Sequence, residues 1–132
     1  MTTTLAPTAG QVRPSVRNRI GLVLAALLGL ADIAALVAIG APDEGTPGPP
    51  VAILAFCAVM GVVTLVTVVW TWRTGNRTGA RLTSAARILS ALTSVPAFFV
   101  EDVSAALVAT AAIGIVLTVV AVALVLLPPA RD

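Results

Sequence analysis

The 132-residue chain has no histidine, tyrosine or lysine, a single cysteine, and only three phenylalanines and two tryptophans as aromatics. The lack of histidine removes the commonest general base and metal ligand, and the lack of tyrosine a frequent proton donor. One thiol cannot form an intramolecular disulfide, and Cys57, in the middle of an apolar run, reads as a small apolar filler. Charge is also scarce, at 11% of residues. There is no P-loop, no nucleophile elbow, no His-bearing metal motif and no pair of carboxylates within an apolar stretch. These absences leave no catalytic, cofactor or metal constellation, so the chain is read as non-enzymatic.

What remains is apolar. Hydrophobic residues make up 58% of the chain and the mean hydropathy is +1.05, more apolar surface than a soluble domain of this size can bury. The surplus falls into four stretches, at 20–40, 51–72, 80–100 and 104–127. Each has about 20 residues or more, enough at about 1.5 Å per residue to cross a hydrocarbon core of about 30 Å as a helix. Barrel strands would instead read as alternating ten-residue segments. The expected fold is therefore all-α, a membrane-spanning antiparallel four-helix bundle, flanked by a cytoplasmic tail at 1–19 and a short cytoplasmic C-terminus at 128–132.

Charge placement orients that bundle. Arg13, Arg17 and Arg19 precede the first stretch, and Arg73, Arg77 and Arg81 lie between the second and third, with Arg131 after the fourth. Asp43 and Glu44 follow the first stretch, and Glu101 and Asp102 the third. Arginine in short segments marks the cytoplasmic side, which puts both termini inside. The net charge of +2 does not indicate nucleic-acid binding, because the arginines form separate clusters without interleaved aromatics. The acidic pairs are read as topology markers and helix-end charges, not cation ligands. A positive segment before an apolar run also resembles a secretory signal, but the first run exceeds the length of a signal core and is read as an anchored helix.

Turn residues divide the helices. Four prolines and two glycines in 41–50 stop both flanking helices, and Gly75-Asn76 makes the second and third helices antiparallel neighbours. Pro96 is expected to kink or end the third helix near Val95.

Within the apolar stretches, Asp32 is costly, about 2.5 to 3.5 kcal/mol on insertion scales, and should face the interior with a partner or be protonated. Thr83, Arg87, Ser90 and Ser94 recur at i, i+4, i+7 and i+11, one face of the third helix that should point inward. Depth counted from Arg19 and Arg81 puts Arg87 about 6 to 10 Å from the level of Asp32. That difference favours Ser90 or Ser94 as neighbours of Asp32, with Arg87 snorkelling toward the inner headgroups; the alternative is a direct salt bridge, since an extended Arg87 side chain just covers the distance to Asp32. Small residues at helical spacing mark close-packing faces: Gly21, Ala25 and Gly29 in the first helix, Cys57 and Gly61 in the second, and Ala106, Thr110, Gly114 and Thr118 in the fourth. The last stripe suits either the chain's own core or a homodimer. Thr64, Thr67 and Thr71 are expected to bond their own backbone carbonyls.

The segments RIGLVLAALLGLADIAAL, WTWRTGNRTGARL and RILSALTSVPAFF, with a Pro-rich outer loop and a Val-rich last helix, resemble small four-span integral membrane proteins of actinobacteria. That resemblance covers residues 18–127 and implies a multi-pass protein of the bacterial plasma membrane, but the group has no agreed activity to carry over. The leading expectation is an accessory, interaction or structural membrane subunit whose partners are the lipid bilayer and a second copy or another membrane protein. Size and a carboxylate in the first helix are also similar to small multidrug resistance transporters, which implies as an alternative a proton-coupled transporter or exporter using Asp32. The chain departs from that family in carrying Asp instead of Glu, few aromatics and a strong arginine bias.

Overall fold

The structure is a computed structural model and describes residues 14–39 and 49–128. Its regular elements are all helical: α1 (Val16–Ile39), α2 (Val51–Thr74), α3 (Arg77–Ser94), a short 3₁₀ turn (Val95–Phe98) and α4 (Ala105–Leu126). Three of them, α1, α2 and α4, are long and apolar enough to cross a membrane. The third is shorter and amphipathic, with Thr83, Ser84, Arg87 and Ser90 buried and Leu82, Ile88, Leu89 and Leu92 exposed.

The ends follow from local chemistry. At the start of α1, Ser15 Oγ accepts from the Asn18 N–H and Asn18 Oδ1 accepts from the Ser15 N–H, a reciprocal cap. Helix α1 therefore begins at Val16, so residues 16–19 of the expected tail are helical and carry Arg17 and Arg19 on the first turn. Pro50 stands ahead of α2, and Gly75 closes it in the left-handed conformation at φ 63°, its N–H donating to Thr71 O. The next residue opens α3, because Asn76 Oδ1 accepts from the Thr78 N–H. The helix of the third stretch begins three residues ahead of residue 80 and ends beside Pro96, as the proline leads one to expect. It starts at Arg77 and stops at Ser94, where Pro96 cannot continue the ladder and the chain tightens into the 3₁₀ turn. Ser104 Oγ accepts from the Leu107 N–H and starts α4.

The helices form a ring in which α1 packs on α2 and α4, and α3 on α2 and α4, with α1 and α3 barely touching across it. Thr71 faces Gly79, Thr67 faces Thr83 and Cys57 faces Thr93, a constant antiparallel register between α2 and α3. Gly29 meets Gly61 and Thr64, and Gly61 meets Asp32, which runs α1 antiparallel to α2. Gly21 lies against Leu124 and Val125. The N-termini of α1 and α3 and the C-termini of α2 and α4 thus share one end.

Side chains are distributed inside out. Among the described residues, besides glycines, eight apolar residues are buried, and so are eight polar or charged ones, while valines, leucines and isoleucines cover the outside of every helix. Water would penalise such an exterior and hydrocarbon would not. The inner apolar cluster, Leu22, Ala25, Val68, Ala121 and Val125, sits toward the arginine end.

Candidate functional site

The polar interior begins with α2, where every threonine spaced three or four residues apart is tied to its own helix. Thr64 Oγ1 donates to Met60 O at 2.7 Å, Thr67 to Val63 O at 2.8 Å and Thr71 to Thr67 O at 2.7 Å, as the sequence leads one to expect. Thr67 also accepts from the Thr83 hydroxyl of α3 at 2.8 Å. One turn further along α3, Arg87 is buried, and its Nη1 reaches Asp32 Oδ2 of α1 at 2.5 Å. Ser90 donates to the same carboxylate oxygen at 2.9 Å. Helices that otherwise barely meet are therefore joined at mid-ring by a charge pair and a hydroxyl.

The pair is unequal. Arg87's side chain is 4% exposed and Asp32's 21%, and Arg87 Nε has no hydrogen-bond partner among the described residues. Arg87 thus depends on Asp32 for its charge balance, whereas Asp32 also has Ser90 and some access to its surroundings.

Ser90 is where the sequence puts it. Arg87 is also on the inward face its spacing assigned, and of its two expected courses it takes the one to the Asp32 carboxylate instead of snorkelling toward the arginine end. Both side chains take their height from α2, the neighbour they share. Asp32 lies against Gly61, and the α2–α3 register sets Arg87 beside Val63, about two residues or 3 Å away. Arg19 and Arg81 are uneven depth marks, since the same contacts place Arg19 level with Thr74 but Arg81 with Val69, about 7 Å deeper. Ser94 is half-buried, and among the described residues no hydrogen bond joins it to Asp32.

The close-packing residues divide into two sets. Cβ atoms on Gly21, Gly29 and Gly61 would meet Val125 N at 2.8 Å, Gly61 O at 3.0 Å and Gly29 O at 2.5 Å, so these glycines and the buried Ala25 hold backbones together. The fourth helix behaves differently. A Cβ on Gly114 would meet nothing within 4 Å, and Thr110 is exposed with its hydroxyl bonded to Ala106 O. Thr118 is buried with its hydroxyl unpartnered among the described residues.

At the shared end, Arg17, Arg19, Arg73, Arg77 and Arg81 are all exposed, and Glu101 and Asp102 are exposed at the opposite end. Arg13, Asp43, Glu44 and Arg131 lie outside the described residues. Asn18, not singled out in the sequence, closes the arginine end: its Nδ2 lies 3.0 Å from each of Leu124 O, Val125 O and Leu127 O, satisfying carbonyls at the end of α4. The signal was present in Ser15-x-x-Asn18 ahead of an apolar run, a cap pattern with Asn in the place of Glu or Gln. Among the described residues no three His, Cys, Asp or Glu side chains converge. The chemistry available to the cluster is that of a mutually neutralised ion pair. No protein-family model, curated protein or solved structure matches this chain.

Proposed function

We propose that the chain is a multi-pass protein of the bacterial plasma membrane that threads the bilayer four times, with both termini cytoplasmic, and serves as a structural or accessory subunit without enzymatic activity. The inside-out distribution of side chains supports the membrane, and the arginines gathered at one end support the orientation. In this reading α3 is the fourth crossing. It is tolerated in hydrocarbon because its polar face is covered by its neighbours, and its 18 residues plus the 3₁₀ turn reach about 30 Å or more.

The observation that carries the non-enzymatic reading is the Asp32–Arg87–Ser90 cluster. The chain answers its own intramembrane carboxylate with its own guanidinium, making the pair an interlock between α1 and α3. A partner would be a second copy or another membrane protein, and the outward face around Thr110 and Gly114 lets a helix backbone come close. Pull-down in mild detergent tests this reading: recovery of one partner, or of a second copy, at fixed stoichiometry is expected. A chain recovered only as a monomer contradicts it.

The partial exposure of Asp32 favours a second reading, a small proton-coupled exporter in which this carboxylate takes the coupling ion. Proteoliposomes separate the two. The subunit reading expects no proton-driven flux, and the exporter reading expects flux that Asp32→Asn abolishes while the protein still folds.

A further inference from the structure

At the arginine end the ring opens into a bowl of about 290 Å³ formed by residues of all four helices and the Gly75-Asn76 turn. Its floor is apolar, with the buried Leu22 of α1 and Val125 of α4, and the exposed Leu126 of α4 extends the apolar lining outward. Its rim carries Arg77 and Arg81 of α3, one helical turn apart and so on one face. Of the other polar groups of the wall, Asn18 Nδ2 is engaged by the α4 carbonyls, Thr71 Oγ1 by Thr67 O and Asn76 Oδ1 by the Thr78 N–H. Neither rim arginine has a carboxylate partner among the described residues, whose acidic side chains are Asp32, bound to Arg87, and Glu101 and Asp102 at the far end.

Two guanidinium groups without a carboxylate partner among the described residues, above an apolar floor, suit an anion with several acceptor oxygens attached to an apolar body. Guanidinium matches phosphate through paired N–H donors, and a free anion would leave the floor unfilled. We propose that this bowl is a site for the phosphate headgroup of an anionic phospholipid of the cytoplasmic leaflet, held by Arg77 and Arg81 with its glycerol and upper acyl carbons on Leu22, Val125 and Leu126. The assignment rests on the membrane reading above and on the arginine end being cytoplasmic, the leaflet side at which a basic pocket between helices meets an anionic headgroup. Arg17 and Arg19 share that end but do not line the bowl, which separates a built site from general surface charge.

Native mass spectrometry of the full chain, purified in mild detergent and supplied with phosphatidylglycerol or phosphatidylcholine, tests the site. One bound phosphatidylglycerol per chain is expected, preferred over phosphatidylcholine by about 30-fold, or about fivefold per arginine. Arg77→Gln and Arg81→Gln should each lose about fivefold of that preference and the double variant all of it. Arg17→Gln/Arg19→Gln, with the same change in net charge, should retain it. Melting temperatures within a few degrees of the parent would show that each variant is folded, and the single variants, altered at one exposed side chain, carry the test if the double variant does not fold. No lipid preference in the parent, or equal loss in the two double variants, overturns the proposal. So does erasure of the preference by millimolar inorganic phosphate, which would identify a soluble-anion site. An alkaline carbonate wash of the membranes separates this failure from that of the underlying reading: protein kept in the pellet leaves the membrane assignment standing, and protein released overturns both.

Discussion

Removing either member of the Asp32–Arg87 pair should cost far more than removing both. Breaking a buried pair leaves one charge without its counterion, at about 3 to 5 kcal/mol, while apolar replacement of both is close to neutral. The geometry also orders the single variants. Asp32→Ala strands a guanidinium whose side chain is 4% exposed and whose Nε already lacks a partner, so its cost should lie near 5 kcal/mol. Arg87→Met keeps most of the side-chain volume and leaves a carboxylate that Ser90 still bonds and that is 21% exposed, so its cost should be about 3 kcal/mol or less. The double variant Asp32→Ala/Arg87→Met should be more stable than Asp32→Ala alone, with a coupling energy of about 2 kcal/mol or more. Reversible unfolding in mixed detergent micelles, followed by circular dichroism, measures all four proteins. Additivity of the single effects within about 0.5 kcal/mol, or a milder loss for Asp32→Ala than for Arg87→Met, would refute the interlock.

Two further outcomes follow from packing and capping. Gly61→Ala should destabilise the same unfolding transition by about 1 to 3 kcal/mol, because its Cβ would stand 2.5 Å from Gly29 O on a facing backbone, whereas Gly114→Ala, with nothing within 4 Å, should stay within about 1 kcal/mol of the parent. Equal effects in the two would show that α1 and α2 do not approach as described. Asn18→Leu should loosen the end of α4 by about 1 kcal/mol, read as roughly fivefold faster hydrogen exchange at Leu126 and Leu127 with exchange at mid-helix unchanged. Unaltered exchange there would remove Asn18 from that role.

The helices were legible because runs of about 20 apolar residues can be little else, and because Gly75-Asn76 and Pro96 act through backbone rules that need no tertiary context. The inward face of α3 was also legible, since Thr83, Arg87 and Ser90 recur at helical spacing among residues that lipid accepts. The partner of Asp32 was harder to read. A one-dimensional count from flanking arginines assumes that neighbouring helices start at the same depth, and α3 starts about 6 Å deeper than α1 because the tight Gly75-Asn76 turn launches it directly from the end of α2. The role of the small-residue stripes was equally hidden. Gly61 and Gly114 sit in similar local sequence, and only the packing of the ring decides that the first is filled by a neighbour and the second is open.

A four-span bundle requires that α3, the one described α-helix too polar to count as a span by composition, cross the bilayer under the cover of its neighbours. Cysteine accessibility in a Cys57→Ser background, with Arg77→Cys or Asp102→Cys introduced at its two ends, measures this directly. A membrane-impermeant maleimide should label position 102 in intact cells and position 77 only after permeabilisation. Labelling of both positions from the same side would mean that α3 does not cross, and the four-span account would be wrong.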